Sequence, residues 1–320
     1  MDSQSLYPLI TIEGPTASGK SELAFALAKK LATEIISADS RQIYQFLNIG
    51  TAKPSPEERA EIKHHLIDII LPDQKYSAGD FVHDTQHLIQ TISHRGKIPI
   101  VCGGTMLYIK SLLTGLAPIP PVKTTHKQVT SEFLTSHGWQ AGYDYLQTVD
   151  RKFAQMINPT DKQRIQRGLE VWFAFQQPLS KFWENQCTFQ AYRPFRIYLA
   201  PERQELYSRI NLRLQKMVEK GLIKEIESIL AMGYSGNDYG LTSVGYQEFI
   251  AMIHNQRFDQ LPLCISLAAQ HSRNYAKRQL TWYRKLSFDY ILGEITEQAI
   301  QRVFNEVNRY RLSIQQEKII

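Results

Sequence analysis

Residues 14–21 read Gly14-Pro15-Thr16-Ala17-Ser18-Gly19-Lys20-Ser21 and fit G-x-x-x-x-G-K-[ST], the pattern of ATP-binding and other nucleotide-binding loops. Gly14 and Gly19 let the backbone turn so that successive N–H groups point inward at an anion. Lys20 adds a point charge, and the Ser21 hydroxyl suits Mg²⁺. An apolar strand leads in at residues 8–12 and a helix follows at once, with Leu23, Leu27 and Leu31 along one face. The N-terminus of that helix adds partial positive charge at the same place. The loop says that a polyphosphate is bound; it leaves open whether a phosphoryl group moves or a diphosphate departs whole.

Two further polar positions follow apolar runs. The run at 34–38 leads into Asp39-Ser40-Arg41-Gln42, and the run at 98–102 leads into Gly103-Gly104-Thr105. Runs at 8–12, 34–38, 66–71 and 98–102 alternate with helical periodicity, which predicts an α/β fold: a P-loop-type parallel sheet flanked by helices. Ligands of such sheets sit beyond the carboxyl ends of the strands, so Asp39 and Thr105 are expected to face the phosphate loop. Asp39 could equally be a helix cap or turn residue, and Thr105 could cap the next helix while offering its hydroxyl to the anion. The fourth strand carries no Asp at its tip, where many phosphate-loop nucleotidases keep a magnesium-associated carboxylate. Asp68 lies inside its own apolar run and is a poor substitute. His64 and His65 are adjacent, so on a strand they point to opposite faces and do not suit one metal ion.

The 320 residues are 43% hydrophobic and carry a net charge of +6, enough for a large core and suited to a polyanionic partner. Cys102, Cys187 and Cys264 are far apart and odd in number, which supports neither disulfides nor a zinc site. The polar first residues do not read as a targeting peptide, and no apolar run reaches membrane-spanning length. The expectation is a cytoplasmic protein without membrane contact, working as a monomer.

After Gly115, three prolines at 118, 120 and 121 mark a break. Residues 123–190 then show helical segments at 128–137, 140–149 and 161–176, read as an all-helical insertion domain between a first catalytic part, 1–122, and its continuation, 191–320. A strand resumes at 195–200 and helices dominate beyond it. Leu206, Ile210, Leu214 and Met217 hold helical spacing, while Arg209 and Arg213 share another face. Two guanidiniums on one face repel unless an anion lies between them, which favours a phosphate contact. Between residues 260 and 288, Arg273, Lys277, Arg278, Arg284 and Lys285 interleave with Tyr275, Trp282 and Tyr283. That mixture suits phosphate contact with base stacking, or else a buried aromatic face with solvated cations. The tail from residue 294 reads as one polar helix.

Taken together, the phosphate loop, Asp39-Ser40-Arg41-Gln42-Ile43-Tyr44, Gly50-Thr51-Ala52-Lys53-Pro54 and Gly103-Gly104-Thr105-Met106-Leu107-Tyr108 resemble the tRNA dimethylallyltransferase (tRNA isopentenyltransferase) family. The likeness continues through residues 164–171, the helix at 209–222, Gly245-Tyr246-Gln247-Glu248 and residues 275–282, in the family's order.

The resemblance implies transfer of a dimethylallyl group from dimethylallyl diphosphate to N6 of the adenosine at position 37 of tRNA, beside the anticodon. It assigns the donor's diphosphate, with Mg²⁺ at Ser21, to the loop. Catalytic roles fall to Asp39 as proton acceptor, to Thr105, to Lys20 and to Arg209 or Arg213. Contacts to the anticodon stem-loop are implied for Asp39, Ser40, Arg41, Gln42, Thr105 and Lys127; for Gln163, Arg164, Ile165, Gln166 and Arg167; and for Gly245, Tyr246, Lys277, Arg278, Trp282 and Arg284. Thr242-Ser243-Val244 departs from bacterial relatives that carry an arginine or cysteine before the Gly-Tyr pair. No Cys/His finger follows, which fits a bacterial-type enzyme. Competing readings are an adenylate isopentenyltransferase using free AMP, ADP or ATP, a small-molecule kinase, and a non-catalytic RNA-binding protein.

Overall fold

Both faces of the central strands are apolar, so the sheet has to be covered on both sides. In β1 (Tyr7–Glu13), Ile10 and Ile12 join one core cluster while Leu9 joins another. The computed structural model describes residues 6–184 and 191–317, and Cys187 lies outside them. It divides into two compact units: Met1–Leu113 with Gln190–Ile320, and Thr114–Phe189.

In the first unit, β1 is followed by α1 (Lys20–Leu31), β2 (Ile35–Ser37), α2 (Pro56–Glu61), β3 (His64–His65), α3 (Ala78–His94), β4 (Ile100–Gly103) and α4 (Met106–Thr114). The second unit holds α5 (Thr124–Val149), α6 (Arg151–Ala154), α7 (Lys162–Phe175) and α8 (Leu179–Glu184). The first unit resumes with β5 (Tyr192–Leu199), α9 (Arg203–Glu219), α10 (Leu222–Ala231), α11 (Gln247–His254), α12 (Leu261–Tyr283), β6 (Tyr290–Leu292) and α13 (Glu297–Glu317). The six strands run parallel in the order β3-β2-β4-β1-β5-β6. Chain leaving β1 crosses to β2 on one side, and chain leaving β4 returns to β5 on the other. A crevice opens beyond the carboxyl ends where those paths part. The α/β architecture is the one the alternating apolar runs predict.

Local departures have physical reasons. The third strand lies at His64–His65 and not at 66–71, because Leu66 and Asp68 take left-handed φ of 59° and 57°. Asp68 there binds Lys53 and accepts from Arg59 at 2.6 Å, which draws the segment into a loop. His64 faces the Ile62 carbonyl and His65 the Glu34 carboxylate, so the two rings part as expected. The short β6 was not legible as a strand. The tail helix α13 is amphipathic and not polar all round: Ala299, Val303 and Val307 are buried in the cluster that also holds α1. In the second unit, Gly138 at φ 81° interrupts α5 between the two segments expected there. Leu134, Leu146, Ile165 and Leu169 form that unit's core, and the Asp161 carboxylate caps α7.

Candidate active site

The loop after β1 wraps the start of α1, with Gly19 at φ 92° as the N-cap. Tyr207, Ala276 and Leu280 of α9 and α12 pack with Ala17 of the loop, so these two helices form its outer wall. Together with the tips of β2 and β4 they enclose a cavity of about 650 Å³. Its walls include Thr16, Ala17, Ser18, Gly19, Lys20, Ser21, Asp39, Ser40, Arg41, Gln42, Arg209, Arg213, Tyr275 and Arg278. Gly14 and Pro15 lie buried below, and Lys20 donates to the Pro15 carbonyl at 2.6 Å. Burial pulls the Lys20 ammonium down to about 8, with the nearby Arg213 adding to the fall and Asp39 opposing it. The Ser18 hydroxyl is buried without a partner inside the loop, an orphaned group of the kind a phosphate oxygen satisfies.

Asp39 accepts from the Arg41 backbone amide at 2.8 Å, so one carboxylate oxygen holds a turn while the residue still borders the cavity. Both readings of Asp39 therefore hold together. The Thr105 hydroxyl accepts from the Ser40 amide at 2.9 Å, which ties the β4 tip to the β2 tip. That approach needs a glycine at 103: a Cβ there would stand 2.1 Å from the Ala38 carbonyl oxygen. Gln42 donates to the carbonyls of Thr51 and Ala52 at 3.3 and 3.2 Å, fixing another part of the wall.

The two arginines of α9 separate. Arg213 donates to the Thr16 hydroxyl at 2.7 Å, and burial lowers its guanidinium while Asp39 opposes that. Arg209 borders the cavity but pairs with Glu205 one turn earlier. Glu205 thus neutralises Arg209 from within the helix, while Arg213 stays against the phosphate loop.

Several expected RNA contacts are corrected by burial. Tyr246 has no outer surface and borders only the cavity, and its hydroxyl donates to Glu225 at 2.7 Å. Gly245 is buried too, its amide donating to Glu248 at 2.8 Å. Ile165 is fully buried in the core of the second unit. Tyr283 is likewise core, 1% exposed and packed at a tilt against the rings of Tyr198 and Phe288, and offers no face for a base. Lys277, Arg278 and Arg284 are exposed on α12 or at its end, and Trp282 is half-buried beside them. A shallow groove of about 490 Å³ runs past Lys277, Arg278, Trp282 and Lys285. In the second unit, Gln163 and Arg164 are exposed and Lys127 is half-buried. There Gln166 donates to Glu170 at 3.0 Å, and Arg167 lies 3.6 Å from that carboxylate.

Two residues that shape the site were missed. Glu225 accepts from the amides of Asn48 and Ile49 at 2.9 and 2.7 Å and so holds the loop that leads into Gly50-Thr51-Ala52. Gln279, only 1% exposed, lies between the phosphate loop and the β4 tip. Its signal was its place with Ala276 and Tyr283 on the buried stripe of α12, where a polar residue requires partners. Mg²⁺ prefers a few hard oxygen ligands and keeps substrate oxygens and waters. The Ser21 hydroxyl and the Asp39 and Glu22 carboxylates on the wall fit that set.

A family model described as IPP transferase matches residues 42–286. A tRNA dimethylallyltransferase of Geobacter sulfurreducens is 41% identical over 278 residues, covering 87% of this chain and 89% of that protein. One from Nitrosococcus oceani is 41% identical over 287 residues, covering 88% and 90%. Among solved structures, the full-length tRNA isopentenylpyrophosphate transferase of Bacillus halodurans aligns with TM-score 0.71 and 32% identity over 98% of this chain and 100% of that one. A eukaryotic dimethylallyltransferase acting on tRNA aligns with TM-score 0.76 and 28% identity, covering 86% of this chain and 69% of that one.

Proposed function

The chain belongs to the IPP transferase family, and we propose that it transfers a dimethylallyl group from dimethylallyl diphosphate to N6 of the adenosine at position 37 of tRNA, releasing diphosphate. The observation that supports this most directly is the shared cavity, in which Asp39 borders the same space as Lys20, Arg213 and the loop amides. In the reaction the allylic C–O bond breaks, a bond from N6 to the allylic carbon forms, and N6 gives up one proton. Negative charge grows on the departing diphosphate, where the loop N–H groups, Lys20 and Arg213 stabilise it. Asp39 accepts the proton from the amine, which is a weak nucleophile until that proton is shared. Thr105 holds Ser40 and with it the turn that aims Asp39. The Ser21 hydroxyl and the Glu22 carboxylate on the wall would hold Mg²⁺, which would supply further positive charge to the departing diphosphate.

The adenine has to leave its stack to enter the cavity, which costs about a few kcal/mol. Contacts of Lys277 and Arg278 with RNA phosphates, and of the exposed basic residues on α7, offset that cost. We read the reaction as a cytoplasmic one, a reading in keeping with the absence of any helix long and apolar enough to cross a membrane among the described residues. Each chain carries every group used here, so a monomer suffices. The test offers an unmodified anticodon stem-loop and free AMP as competing acceptors with labelled dimethylallyl diphosphate. Label is expected on the stem-loop adenosine; label on AMP alone would favour the adenylate reading, and γ-phosphate transfer from ATP the kinase reading.

A further inference from the structure

Gln279 lies within the stretch 275–282, whose expected partner was RNA, yet it turns inward and touches both halves of the cavity. Its Oε1 accepts from the Thr16 amide at 2.8 Å, and its Nε2 donates to the Gly104 carbonyl at 2.8 Å. Thr16 is the loop residue whose hydroxyl takes the Arg213 hydrogen bond. Gly104 precedes Thr105, whose hydroxyl holds the Ser40 amide beside Asp39. One neutral side chain thus spans from the group that grips a leaving diphosphate to the strand tip that aims a proton acceptor. The fit is close, since a Cβ on Gly104 would stand 2.7 Å from Nε2.

An amide is the side chain suited to this place. It offers an acceptor to an N–H and a donor to a carbonyl at the same time, with no charge to add to a site already holding Lys20, Asp39 and Arg213. We propose that Gln279 is a positioning residue that sets the spacing between the diphosphate half and the acceptor half of the site. This inference rests on the transfer reaction proposed above. If Gln279 sets spacing, its loss leaves each substrate's own half intact and misplaces the two reacting atoms relative to one another. Displacement of that kind lowers the chemical step by about a hundredfold per ångström. If Gln279 only supported the loop, loss of diphosphate affinity would match loss of turnover.

The experiment compares the full-length wild type with Gln279→Met, which fills the space without either hydrogen bond, and Gln279→Glu, which loses the donor to Gly104 when ionised. Three quantities are measured: kcat on an anticodon stem-loop, Kd for inorganic diphosphate with Mg²⁺, and Kd for the stem-loop. Melting temperature is followed for all three proteins. For Gln279→Met the expected result is a fall in kcat of about 30- to 100-fold, with both Kd values within about 3-fold of wild type. Gln279→Glu is expected to lose at least about tenfold in kcat. The inference is overturned if kcat stays within about 3-fold, if diphosphate affinity falls as far as kcat, or if neither variant folds. A wild type that binds both ligands yet never prenylates the stem-loop would instead defeat the function reading itself.

Discussion

Arg213 reaches across from α9 to the hydroxyl of Thr16, 2.7 Å away, and so joins a helix late in the chain to the phosphate loop near its start. Four residues earlier on the same helix, Arg209 turns to Glu205. Identical side chains on one helical face therefore carry different tasks, because only one is already neutralised.

The difference is measurable by alanine substitution. Arg213→Ala is expected to lower kcat/KM for dimethylallyl diphosphate by about 100- to 1,000-fold, as loss of a buried charge-assisted contact to a leaving group does. Arg209→Ala should cost less than about tenfold. Steady-state kinetics with both variants decides it, and equal losses would contradict the assignment.

Lys20 gives a pH dependence with a definite sign. Burial holds the ammonium down to about 8, so its charge is complete below that pH and is lost above it. The basic limb of kcat/KM, which reports the free enzyme, should fall with an apparent pKa near that value. Lys20→Arg keeps its charge through this range and should abolish the limb, whatever it does to the plateau. A limb unchanged in that variant would assign the titration elsewhere.

The RNA face of α12 is tested by salt. Lys277 is exposed and outside the cavity wall. Lys277→Ala should weaken stem-loop binding by about 3- to 10-fold and reduce the slope of log K against log salt by about one, with kcat at saturating RNA unchanged. Filter binding across a salt series provides the measurement; an unaltered slope would remove Lys277 from the interface.

Beneath the loop, Glu13 is almost fully buried and receives two hydrogen bonds from Arg196, at 2.9 and 3.0 Å. Arg196→Met would leave a buried carboxylate with the Thr11 hydroxyl as its remaining side-chain hydrogen-bond donor among the described residues. A loss of about 3 kcal/mol or more in unfolding free energy is expected, read from urea titration. A stability unchanged from wild type would show that the pair contributes nothing.

Much of this site was legible in the order of residues, because a phosphate loop and the polar tips of parallel strands obey local rules. Asp39 could be placed on the cavity wall from the apolar run before it and the topology it implies, whereas Thr105, expected to face the phosphate loop, turns its hydroxyl to the Ser40 amide instead. The helix break at Gly138 was readable for the same local reason. What escaped depends on distant partners. Whether Arg209 or Arg213 is available depends on Glu205 and on Thr16, which lies far off in sequence. Tyr246 and Ile165 look like surface contacts within a motif but are drawn inward by the cores they fill. Gln279 stands on an ordinary helical stripe, and its role appears only when β4 and the loop are folded against it.

The central claim is that Asp39 takes the proton from the acceptor amine while the loop holds the diphosphate. Its most direct test is single-turnover transfer in Asp39→Ala, with stem-loop and donor both prebound. The expected rate is at least about a hundredfold below wild type, with both dissociation constants within about 3-fold. Transfer at the wild-type rate in that variant would contradict it.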